Sequence, residues 1–197
     1  MSIHSSVANC ILAAGFCAAL ACGPAYGEDA KVSAAKSPPA TVVFICKYGS
    51  SKSMWAQDRF NKLAEQRGLN VRAIGRAANP GEFVHKHVSE VVARQMELEG
   101  SHVADYKIDI LTPEEAAAAE AVVHISLQGE SDPDSSIAAA AHVSPQRWEG
   151  VPSMLRLPDG SIDPSGKQFN TARALLLTRV DALFEEIASK AARHATK

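Results

Sequence analysis

Paired cysteines are missing from most of this sequence. Of its four cysteines, Cys10, Cys17 and Cys22 stand before residue 28, and Cys46 alone follows. Once the front is removed, the remainder can close no intramolecular disulfide and can run no two-thiol relay. One-signed charge is missing too: 20 basic and 22 acidic residues are interspersed, for a net charge of -2. No stripe of Lys and Arg marks a nucleic-acid surface. No internal repeat is visible, and no cluster has metal-ligand spacing. His85 and His87 flank Lys86, but two residues apart on a helix they share no face and have no Cys or carboxylate at ligand spacing, so they read as surface histidines. No metal and no organic cofactor are expected. What remains, 197 residues at 46% hydrophobic and 21% charged, fits one soluble globular domain.

The front end lacks charge altogether. From Val7 to Ala25 the run VANCILAAGFCAALACGPA carries none, and Ala25-Tyr26-Gly27 places small residues where a leader peptidase cuts. Residues 1–27 therefore read as a signal peptide of an exported, periplasmic protein, although no Lys or Arg occurs before Lys31. An uncleaved membrane anchor and lipidation at Cys22 are the competing readings. Residues 28–40, poor in large apolar side chains and ending near Pro38-Pro39, read as a flexible linker. The folded domain is expected over residues 41–192.

Within it, strand and helix patterns alternate. Thr41–Ile45 is a continuous β-branched run, as a strand buried on both faces requires. A helical stripe of Met54, Trp55, Phe60, Leu63 and Ala64 ends at Gly68. Val71–Ile74 reads as a second strand and Val84–Glu99 as a second helix, closed by Gly100. Thr112-Pro113-Glu114-Glu115 is a helix start with a capping box. Ala121–Ile125 is a third strand, Ala139–Val143 an alanine-rich candidate fourth. A polar, Pro-rich stretch, 144–166, precedes a closing helix from Phe169 to about Ala192. The alternation predicts an α/β fold, a single doubly wound domain on a parallel sheet. Ligands bind such sheets beyond the carboxyl ends of the strands, where Cys46 falls.

Cys46-Lys47-Tyr48-Gly49-Ser50-Ser51-Lys52-Ser53 joins the first strand to the first helix. Backbone N–H groups at a helix start lack partners and the helix dipole is positive there, so the turn attracts an anion. The same field favours a thiolate at Cys46. Lys52 and the hydroxyls of Ser50, Ser51 and Ser53 add donors, and Tyr48 is placed to line the mouth. A nucleophilic sulfur in a nest of donors suits attack on phosphorus or arsenic. A Walker-type nucleotide loop does not fit, because Ser51 precedes Lys52 and the nearby Gly49 is only three residues before it. Trp55 and Trp148 read as packing.

The run VVFICKYGSSKSMWAQDRFNKLAEQRG resembles the opening of low-molecular-weight protein tyrosine phosphatases and of the related thiol arsenate reductases. The resemblance extends weakly over residues 41–190 and implies a four-stranded parallel sheet. It implies a nucleophilic Cys46, a Ser53 that stabilises the thiolate, and an oxyanion held by Lys52 with the Lys47–Ser51 loop. Asp163, followed by Pro164, takes the place of the general acid that protonates the leaving oxygen. Asp132, Asp159 and Glu149 are alternatives, and a turn role for Asp163 is equally open. Two departures stand out. The family's arginine is Lys52, a point charge in place of a planar fork, and losing one charge-assisted hydrogen bond costs about 1.5–3 kcal/mol. The family's loop asparagine is Gly49, which enters left-handed conformations freely but cannot brace the loop with a side chain.

Three functions share this loop. The first is a cysteine-dependent phosphatase acting on a phosphotyrosine-type monoester through a Cys46 phospho-enzyme. The second is a non-catalytic oxyanion-binding module, favoured by Lys52. The third is an arsenate reductase, which with a single cysteine needs an external thiol such as glutathione.

Overall fold

The computed structural model describes residues 38–126 and 141–195, apart from Pro80, Ser89, His102, Ala104, Pro158, Gly160 and Pro164. The proposed signal peptide, most of the linker and Asp132 lie outside the described residues. Four strands make one sheet: β1 (Ala40–Cys46), β2 (Val71–Ala77), β3 (Ala119–Ile125) and β4 (Gln146–Trp148). All pair in parallel, in the order β2-β1-β3-β4. Helices are α1 (Lys52–Gln66), α2 (Glu90–Leu98), α3 (Pro113–Ala117) and α4 (Lys167–Ala195). Among the described residues no helix is long and apolar enough to cross a membrane.

Alternation along β1 divides the core. Val42 and Phe44 face one layer with Met54, Trp55 and Phe60 of α1 and with Leu176, Val180 and Phe184 of α4. Val43 and Ile45 face the other with Leu111, Ala116 of α3 and Val122. A strand buried on both faces has no room for polar residues, which explains its unbroken apolar run. The α/β, doubly wound expectation and the parallel four-stranded sheet hold.

Local chemistry fixes several boundaries. Gly68, at φ +61°, closes α1, with its N–H donating to the Glu65 carbonyl and that of Leu69 to the Ala64 carbonyl. The capping box at α3 forms in both directions, Glu115 N–H to Thr112 Oγ1 and Thr112 N–H to Glu115 Oε2.

Three expectations need correction. The second helix starts at Glu90, not Val84. His85 has φ +59°, its N–H donates to the Ile108 carbonyl, and Ile108 N–H donates to that of Lys86. That pairing with a distant segment takes the backbone groups a helix would use. The fourth strand is Gln146–Trp148: residues 141–143 are not a strand, and 139–140 lie outside the described residues. As an edge strand it exposes Gln146 and Arg147, so it reads as polar loop. The first strand also starts at Ala40, not Thr41, because Ala40 already pairs with Val71.

Candidate functional site

The strand order places the site. From β1 the chain runs to β2 on one side, and from its neighbour β3 it runs to β4 on the other, so the connections diverge at the carboxyl ends of β1 and β3. Such a switch point leaves a crevice above the strand ends. Cys46, the last residue of β1, sits there, with its carbonyl accepting from Ala78 N–H at 2.9 Å and the Lys47 carbonyl accepting from Asn79 N–H at 2.8 Å.

The loop then turns into α1. Gly49 takes φ +66°, and a Cβ there would lie 2.8 Å from that of Ala77, so conformation and space both demand glycine. Ser51 is the N-terminal cap position of α1, yet its hydroxyl makes no capping bond. The first amides of the helix are thus left to another acceptor. Ser53 is fully buried, its Oγ 3.3 Å from the Cys46 sulfur.

Lys52 is 7% exposed. A buried ammonium needs a partner. Its Nζ donates to the Val151 carbonyl at 2.9 Å, which ties the start of α1 to the segment after β4. That segment forms the far wall of a cavity of about 150 Å³ lined by Cys46, Lys47, Tyr48, Ser50, Ser51 and Lys52, and opposite them by Ser153 to Arg156. Gln168, in the first turn of α4, holds the wall through the carbonyls of Ser153 and Arg156. Tyr48 stands at the mouth, 46% exposed, edge-on to Phe83 and with Lys47 over its ring.

Of the loop positions Cys46 to Ser53, all but Gly49 and Ser53 line this cavity, and Ser53 lies against the Cys46 sulfur. Asp163 is not brought in with them. Its backbone N–H reaches the Leu155 carbonyl at 3.4 Å, but its carboxylate accepts from Ser165 N–H and Oγ and from Gln168 N–H, capping α4. The Ser165 hydroxyl first, then the Gln168 amide, hold its pKa below the usual carboxylate range. A group that protonates a leaving oxygen near neutrality needs the opposite shift. Asp159 is exposed and its pKa is likewise held down, by Ser161, and Glu149 pairs with Arg147 at 2.8 Å. His85 lies 3.0 Å from Asp109 on the surface. Trp55 is buried edge-on to Phe169, and Trp148 packs on Phe44.

Sequence reasoning missed Val151, the wall from Ser153 to Arg156, and Tyr106. The Tyr106 hydroxyl donates to the Gly49 carbonyl at 3.0 Å from a segment with no periodicity to flag it.

No family model and no curated protein sequence matches the chain. Solved structures do. YfkJ from Bacillus subtilis is 16% identical with a TM-score of 0.60, over 79% of this chain and 99% of that one. An arsenate reductase in the phosphate-binding state is 21% identical with a TM-score of 0.51, over 75% and 98%. Wzb of Vibrio vulnificus in complex with benzylphosphonate is 11% identical with a TM-score of 0.55, over 75% and 98%. At such identities the likeness is one of fold: the chain has the fold of the low-molecular-weight phosphatases and arsenate reductases.

Proposed function

We propose that this protein is an exported, cysteine-dependent phosphatase of the low-molecular-weight type, acting on a phosphotyrosine-type monoester. The observation that carries the reading is the Cys46–Ser53 pair, 3.3 Å apart, with Cys46 lining a cavity at the start of α1. In this mechanism the Cys46 thiolate attacks phosphorus, an S–P bond forms, and the P–O bond to the leaving group breaks. Backbone amides of the loop and Lys52 hold the three non-bridging oxygens. Ser53 donates to the sulfur, stabilising it before attack and after release. Water then attacks the phospho-enzyme, giving phosphate and the thiolate. Tyr48 at the mouth offers an apolar face to an aromatic leaving group.

The Asp163 carboxylate, engaged with α4, favours a second reading: an oxyanion-binding module that does not turn over. An arsenate reductase on this loop would need an external thiol, since Cys46 is the lone cysteine beyond the proposed leader. Turnover of p-nitrophenyl phosphate, lost in Cys46→Ser and inhibited by inorganic phosphate, is the result expected for the phosphatase. Phosphate binding without turnover supports the binding module. Release of arsenite from arsenate with glutathione supports the third reading.

A further inference from the structure

The loop's lack of an internal brace raises the question of what holds it. Gly49 has no side chain and no space for one, because Ala77 fills it. The contact comes from outside. Tyr106, half-buried between α2 and α3, donates its hydroxyl to the Gly49 carbonyl at 3.0 Å, with the Gly75 carbonyl at 3.3 Å. Its approach depends on a second glycine. A Cβ on Gly75 would lie 3.0 Å from both the Tyr106 hydroxyl and the Ser53 carbonyl. Gln57 Oε1 accepts from Gly75 N–H and keeps that strand in place.

We propose that Tyr106 is the positioning residue of the Cys46 loop, aiming the Ser50 amide into the oxyanion cavity. The amide's aim follows from peptide geometry. In a trans peptide the C=O of Gly49 and the N–H of Ser50 point in opposite directions. The phenol holds the carbonyl toward the protein interior, so the N–H faces the other way, where Ser50 lines the cavity. It rests on the reading of the loop as an oxyanion cradle.

The phenol has one hydrogen, committed to the Gly49 and Gly75 carbonyls. Burial, and then the negative charge of Cys46, raise the phenol's own pKa, so it stays protonated and keeps donating. Arg76 and Asp109 are the other charged groups facing Tyr106, and Lys47, Lys52 and Arg156 line the cavity with Cys46. Tyr106→Phe leaves all of them in place.

The test follows alkylation of Cys46 by iodoacetamide in the full chain at one pH, over a series of inorganic phosphate concentrations. Three proteins are compared: wild type, Tyr106→Phe, and Phe184→Leu, a core change on α4 that lowers melting temperature without touching the loop. Tyr106→Phe should need about tenfold more phosphate for half-protection, with a phosphate-free alkylation rate close to that of wild type. Phe184→Leu should match wild type in both. Unchanged phosphate protection in Tyr106→Phe, or a phosphate-free rate that changes as much as the protection does, overturns the proposal, as does the same loss of protection in Phe184→Leu. If phosphate fails to protect wild type, the oxyanion reading itself falls and takes the amide-aiming with it.

Discussion

Lys52 Nζ lies 2.9 Å from the carbonyl oxygen of Val151 and donates to it, so the loop's one buried cation also clamps the opposite wall of the cavity. Arginine at this position offers five N–H donors in a planar fork, enough to keep the wall contact and add a second parallel bond to an equatorial oxygen. Lys52→Arg should therefore raise turnover of p-nitrophenyl phosphate about tenfold or more, from a gain of about 1.5–3 kcal/mol in the transition state. Lys52→Ala should abolish turnover and weaken phosphate binding, because it removes charge and clamp together. Background turnover in Lys52→Arg, beside tight phosphate binding in wild type, would mean a loop rebuilt around lysine for binding.

Gly49→Ala incurs two penalties that add. The left-handed φ costs an alanine about 1 kcal/mol, and the new methyl also meets Ala77 at 2.8 Å. The variant should lose phosphate protection of Cys46 and melt at lower temperature. Adding Ala77→Gly removes the closest contact but leaves the residue 77 backbone N and Cα at 3.1 and 3.2 Å and the strained φ, so the double variant should recover part of the protection. Full protection in Gly49→Ala alone would contradict the geometry of the loop.

The first half of the site was legible in the sequence because it is local. An apolar run ending at Cys46, a turn of small and hydroxylic residues and the amphipathic start of α1 are contiguous, and each has a period or a composition. The Thr112 capping box and the Gly68 stop were legible for the same reason. The other half is assembled from afar. The wall from Ser153 to Arg156 lies in a stretch whose polar composition reads as loop, and what makes it a wall is Lys52 and Gln168. Tyr106 reaches Gly49 only because Gly75 leaves a gap, a relation between three segments that no window of sequence contains. Gln146-Arg147-Trp148 is a strand through its pairing with β3, against its own composition. Asp163 was read from its Pro164 neighbour, a local cue that does not reveal which way a carboxylate turns.

Export is expected from the uncharged run that ends before Ala25-Tyr26-Gly27. Mass spectrometry of the protein from a periplasmic fraction should find a mature N-terminus near Glu28. A cytoplasmic full-length chain would remove the leader from the reading, and a lipid-modified Cys22 would replace secretion with anchoring.

Asp163→Ala separates a cap from a catalyst. The Asp163 carboxylate is held below its ordinary pKa by Ser165 and Gln168, so the folded state favours its charged form. Its contribution to stability is present above the unfolded value of about 3.9 and is lost as pH falls through the lower folded value. Wild type should therefore melt above Asp163→Ala at pH 7, and the gap should close as the solution is acidified through that range. Turnover tests the other role. Removing a general acid costs roughly a hundredfold or more, whereas loosening one end of α4 should cost far less, because Gln168 still holds the wall carbonyls through its side chain. A hundredfold loss in kcat, together with loss of the alkaline limb of the pH–rate profile, would mean that Asp163 leaves its cap when substrate binds. A pH-dependent melting difference with near-wild-type kcat is the outcome expected from this geometry.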